Sequence, residues 1–103
     1  MWAVTVIYNI PKDAAAFEKY YAAVHIPLVQ ARQKEVGFVR ADLAVFPRAL
    51  DGSAPAFYRQ AHLWFDSEQA LQTGIATPGF AAIGADLANF ATGGFVALIA
   101  RGG

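Results

Sequence analysis

Phe17-Glu18-Lys19-Tyr20-Tyr21-Ala22-Ala23-Val24-His25-Ile26-Pro27-Leu28 is the stretch from which the rest of the chain can be read. Phe17, Tyr21, Val24 and Leu28 fall at i, i+4, i+7 and i+11, which is one apolar stripe on an α-helix. Tyr21 and His25 are four residues apart, so phenol and imidazole lie one turn above each other. Pro27 has no amide hydrogen and disfavours helical geometry at Ile26, which predicts that the helix stops or kinks there. His25 would then occupy the last turn, where the helix dipole favours a protonated ring.

A strand precedes this helix. Residues 2 to 9 alternate Trp2, Val4, Val6 and Tyr8 against Ala3, Thr5, Ile7 and Asn9, and both sides are largely apolar, as in a central strand. Asp13, after the turn at Pro11, has the chemistry of an N-cap. Beyond Pro27, Val29 to Glu35 reads as a second helical piece before Gly37. Residues 38 to 46 and 57 to 65 alternate as two further strands, joined by a turn-rich segment from Pro47 to Pro55. Asp66-Ser67-Glu68-Gln69 has the form of a capping box with Asp66 as the cap. The helix it opens runs to about Ile75, and Thr77-Pro78 restarts one. Asn89 to Gly94 reads as a loop whose Gly93-Gly94 serves turn geometry, and Phe95 to Ala100 as the last strand.

The order is β-α-β-β-α-β. With right-handed crossovers it gives a four-stranded antiparallel sheet with the helices on one face, the ferredoxin-like α+β arrangement. The 103 residues fit one domain.

Composition points to what covers the other face. The chain is 56% hydrophobic and 16% charged, against roughly 25% charged in ordinary soluble domains. So small a domain cannot hide that apolar fraction alone, and a second copy packed sheet to sheet is the expected cover. There are no cysteines, which removes disulfide, thiol-nucleophile and zinc-thiolate chemistry. Eight basic and eight acidic residues cancel and form no run, arguing against nucleic-acid or anionic-membrane partners. No apolar run approaches the ~20 residues of a membrane span, and no charged leader opens the chain, so the sequence reads as soluble and cytoplasmic.

Tyr20-Tyr21 followed by His25-Ile26-Pro27-Leu28, then Tyr58-Arg59 leading into Leu63-Trp64-Phe65-Asp66-Ser67, and finally Asn89-Phe90-Ala91-Thr92-Gly93-Gly94, resemble the EthD family of the dimeric α+β barrel superfamily. The resemblance spans almost the whole chain. It implies a sheet-to-sheet homodimer and a link to ethyl tert-butyl ether degradation. Relatives in that superfamily include cofactor-free monooxygenases, isomerases, cyclases and dehydratases acting on hydrophobic rings, and haem-binding enzymes. It also implies His25, within Tyr-Tyr-x-x-x-His-x-Pro-Leu, as the site residue. His62 departs from the acidic or other polar residue that the resemblance implies at its position.

The residues themselves allow two readings each. His25 suits general acid–base work, or a helix-end histidine bound to a backbone carbonyl. Tyr21 packs against the sheet with its hydroxyl on a polar partner, or lines a ligand pocket beside His25. His62 and Trp64 share a strand face with Tyr58 and Gln60, as part of a sheet interface or core, or as a ligand-binding wall. Arg40 and Asp42 read as a solvated pair, and Glu18, Glu35 and Asp86 as solvated charges. Two histidines 37 residues apart, with no acidic cluster beside them, make a poor metal constellation. No dinucleotide, P-loop or serine-hydrolase motif occurs. The functional expectation is an accessory or catalytic component of a catabolic or oxidative pathway that takes a small hydrophobic ligand without cofactor or metal, with His25 in proton transfer if it is catalytic. A non-catalytic binding or stabilising dimer and an oxidoreductase component, cofactor-free or haem-linked, are the alternatives.

Overall fold

The computed structural model describes residues 1–103. The elements are β1 (Trp2–Tyr8), α1 (Ala14–Tyr20), a π-helical turn (Tyr21–His25), α2 (Ile26–Ala31), α3 (Gln33–Val36), β2 (Arg40–Val45), β3 (Arg59–Phe65), α4 (Glu68–Ile75), α5 (Pro78–Asp86), a 3-10 turn (Leu87–Asn89) and β4 (Phe95–Arg101). The sheet order is β2-β3-β1-β4 and every pairing is antiparallel. This is the ferredoxin-like topology that the element order predicts.

The helices lie on one face of the sheet. Val4 and Leu63, directly paired, pack with Val29, Val36, Leu71 and Ile83 in one core cluster. Tyr8 joins Phe17, Tyr21, Leu87 and Phe90 in a second. Both clusters use the Trp2-Val4-Val6-Tyr8 side of β1, because strand side chains alternate between faces. The other side carries Ala3, Thr5 and Ile7, opposite Trp64, His62 and Gln60, and no helix covers it. β2 begins at Arg40 rather than residue 38 because Phe38 turns into the core, where it is 4% exposed.

Caps and turns follow local chemistry. Asp13 accepts a hydrogen bond from the Ala16 amide at 3.0 Å, and Thr77 accepts from Phe80 N–H at 3.2 Å, as N-caps do. The cap of α4 is Ser67, not Asp66, since Ser67 Oγ takes the Ala70 amide at 3.1 Å. The serine sits one residue nearer the helix, within reach of the third amide of the first turn. Gly94 has φ 86°, a left-handed turn that glycine adopts without a Cβ penalty.

Pro27 does not end the helix. It sits in the first turn of α2, and the strain is absorbed upstream by the π-helical turn. Ile26 N–H reaches back to the Tyr21 carbonyl, one residue farther than an α-helical bond. A wide turn of this kind makes room for a ring that cannot donate to the carbonyl four residues earlier. His25 therefore lies in the middle of a continuous helical rod, not in a last turn. It is 4% exposed, and the expected dipole-stabilised cation is not what the structure holds.

Candidate functional site

The π-helical turn rotates His25 inward, under α5. Its Nδ1–H donates to the Asp86 carboxylate at 2.9 Å. Tyr20 Oη–H donates to the same carboxylate at 2.6 Å, and the Asn89 amide at 2.9 Å. Asp86 is thus no solvated charge. It is 8% exposed and satisfied by three donors from two helical segments and the turn after α5. Burial pushes its carboxyl upward, but the hydrogen bonds from Tyr20, Asn89 and His25 outweigh that and hold it below its ordinary value, so it stays ionised.

His25 goes the other way from the dipole argument. Burial lowers its pKa below 6.5, and the Asp86 hydrogen bond and charge only partly oppose this. At neutral pH the pair is a carboxylate and a neutral imidazole with its proton on Nδ1. The Asp86 contact fixes that tautomer, leaving the Nε2 lone pair without a protein partner. The ring is held between Phe90, at 4.6 Å between centroids, and Tyr21, stacked at 5.6 Å.

A cavity of about 420 Å³ lies between sheet and helices, and His25 is in its wall. Of 20 lining residues 16 are hydrophobic; the exceptions are His25, Gln30, Gln33 and Gly84. The wall includes Leu43 of β2 and Phe95 of β4, on strands at opposite edges of the sheet, so the cavity crosses its full width. Three strand spacings make that about 14 Å. The lining holds no Ser, Thr, Cys or Lys, and burial raises the Tyr8 and Tyr21 phenols and keeps them protonated, so the free imidazole nitrogen is the base among the side-chain groups here. What it can do is take a proton from a bound molecule.

Tyr21 lines the same cavity, but its hydroxyl finds no polar partner, contrary to expectation. Burial raises that phenol to about 12, so it remains a neutral donor. The Arg59 guanidinium lies over the ring, 4.6 Å from its centroid, and is itself paired with Glu18 at 2.6 Å. Glu18 and Glu35 remain near the surface, yet neither is idle. Glu35 takes the Gly79 amide at 2.5 Å and Arg32 at 3.0 Å.

His62 and Trp64 lie on the opposite face of the sheet and do not meet His25. The Thr5 hydroxyl and Gln60 amide bracket the His62 ring at 2.7 and 3.1 Å. Trp64 Nε1–H donates to Asp42 at 2.9 Å, and Asp42 also pairs with Arg40 at 3.1 Å with both side chains at least half exposed. Sequence reasoning missed Asp86 and Tyr8, which also lines the cavity. A signal for Asp86 was present: it is the sole charged residue between Glu68 and Arg101, within a helix otherwise rich in Gly, Ala, Phe and Ile.

Comparison with known proteins identifies the family and the fold. A family model described as the EthD domain matches residues 11–94. The chain belongs to the EthD family. An uncharacterized 11.0 kDa protein in the thcB-thcC intergenic region of Rhodococcus erythropolis is 39% identical over 98 residues, covering 95% of this chain and 91% of its own. The crystal structure of an EthD family protein from Bacillus halodurans superposes with a TM-score of 0.87 at 24% identity, covering 99% of this chain and 98% of that one. A dimeric ferredoxin-like protein of unknown function from Bacteroides fragilis superposes at 0.68 with 10% identity over 98% and 95%. A protein from Deinococcus radiodurans described as a putative antibiotic biosynthesis monooxygenase does so at 0.62 with 15% identity over 99% and 91%. The EthD fold is thus shared with proteins of differing description, and fold alone does not select an activity.

Proposed function

We propose that this EthD family member binds a small, largely hydrophobic organic molecule in the cavity beneath His25 and removes a proton from it, with no bound cofactor. The observation that carries the reading is the Asp86–His25 pair with Nε2 unpartnered on an apolar cavity. A neutral imidazole with a fixed tautomer is a base ready for use at neutral pH. An apolar surround favours a ligand whose acidic group is a phenol, an enol or a C–H beside a carbonyl. Asp86 would stabilise the imidazolium formed on proton transfer. A structural neighbour described as a putative antibiotic biosynthesis monooxygenase shares the fold, and deprotonation of this kind prepares a ring for oxidation.

The same proposal includes a homodimer closed through the helix-free face of the sheet. Val96 and Leu98 of β4 are 43% and 50% exposed there, and a second copy would cover them.

The test is a screen of phenols, aromatic lactones and aromatic ethers against wild type and His25→Ala, with binding and turnover followed separately. Ligands are expected to bind both proteins and to be deprotonated or converted only by wild type. Turnover that survives loss of the imidazole would reject the base. Binding and no chemistry in either protein, across the whole screen, would favour a carrier or stabilising role.

A further inference from the structure

Apart from the Tyr8 and Tyr21 phenols, the polar side chains lining the cavity are His25, Gln30 and Gln33, and the reaction proposed above uses only the first. His25 is the inner one, buried and fixed by Asp86. Gln30 is the outer one: it lines the cavity, is exposed to solvent, and its amide makes no hydrogen bond. Gln33 also lines the cavity, but its Nε2–H is spent on the Phe38 carbonyl at 3.0 Å. Val29, which lies between His25 and Gln30 in the helix, is buried and lines the same wall. Five residues of helix separate His25 from Gln30, about 7.5 Å along the axis.

Resting on the reading that the cavity holds a hydrophobic ligand, we infer that Gln30 is a specificity residue. It receives a second polar group on a ligand whose acidic group faces His25 and whose middle is apolar. The ligand class is then a flat or extended molecule polar at both ends, not a plain hydrocarbon or a singly substituted ring. The buried end of the cavity takes the acidic hydroxyl, and the solvent-facing end takes the other group. A carboxamide suits that place because it both donates and accepts without charge, so it accommodates a hydroxyl, a carbonyl or an ether oxygen.

Naphthalene, 2-naphthol and naphthalene-2,6-diol are the probes, titrated calorimetrically into wild type and Gln30→Leu. The diol carries hydroxyls at opposite ends of one rigid apolar plate, so either can face His25. Gln30 is exposed and unbonded, and a circular dichroism spectrum confirms that the variant keeps the fold. Wild type is expected to bind the diol about fivefold more tightly than 2-naphthol, the effect of one added neutral hydrogen bond. Gln30→Leu is expected to reduce that preference to no more than the twofold that two equivalent orientations give, and to leave 2-naphthol affinity within a factor of two. A preference that persists unreduced in the variant, or a wild type that favours the diol by no more than twofold, overturns the role of Gln30 and leaves the cavity reading standing. Failure of wild type to bind any of the three overturns the cavity reading, and this inference falls with it.

Discussion

His25 and Asp86 behave as one unit, and pH reads the unit out. The His25 pKa is depressed by burial, so the unfolded chain takes up that proton more readily than the folded one. Its contribution to stability is complete above the ordinary value of 6.5 and is lost as pH falls through the lower, folded-state value. Asp86, also depressed, gives a contribution complete above 3.8 and lost below it by the same rule. Both losses lie on the acid side. The melting temperature is expected to fall from pH 8 to pH 5, and His25→Gln to flatten that step; a melting temperature that rises on acidification would mean that the imidazole is charged in the folded state. Asp86→Ala removes the acceptor from three donors, and a cost of about 2–3 kcal/mol is expected in urea unfolding. Asp86→Asn keeps the volume but loses the charge and weakens the hold on the Nδ1–H tautomer, so it should fold and lose any turnover at least tenfold.

At the scale of elements, proline and caps decide the geometry. Pro27 is the local cause of the π-helical turn, and a regular α-helix would carry His25 round by part of a turn, away from Asp86. Pro27→Ala is therefore expected to move the His25 imidazole toward 6.5 in an NMR titration. An unmoved titration would show that packing against Phe90 holds the turn by itself. The α4 cap gives a cleaner comparison. Ser67→Ala is expected to cost about 1 kcal/mol and Asp66→Ala only a few tenths; equal costs would restore the capping-box assignment to Asp66. These elements were legible in the sequence because caps and proline act over a few residues. What was not legible was how the chain would accommodate Pro27. Stopping the helix and widening one turn both relieve the clash, and tertiary packing chose between them.

The whole molecule is thin, with principal extents of 39 × 31 × 17 Å, as one sheet under one layer of helices should be. Only 20 of its 103 residues are buried, although more than half are hydrophobic. The accessible surface is 6072 Å², above the roughly 5,600 Å² usual for this mass. Phe95, Val96, Leu98 and Ile99 are all 43–52% exposed, which leaves β4 apolar on both faces at a sheet edge. Such an edge invites pairing unless it is covered. Light scattering at micromolar concentration is expected to give twice the 11.0 kDa chain mass, and Leu98→Asp to shift it toward the monomer. A wild-type monomer would remove the proposed second copy. No helix is long and apolar enough to cross a membrane.

Local patterns by themselves determined the strand and helix order, most caps, and hence the antiparallel sheet with helices on one face. Period and turn chemistry are properties of neighbouring residues, and right-handed crossovers leave few topologies. The site is another matter. His25 and Asp86 are 61 residues apart, and no local pattern links an imidazole in the first helical rod to a carboxylate in α5. Strand parity put His62 and Trp64 together, but which face they share depended on where the helices dock. Only the tertiary structure brought the C-terminal end of α5 to the π-helical turn, because burying Ile83 and, in the turn that follows, Leu87 fixes that helix and carries Asp86 with it.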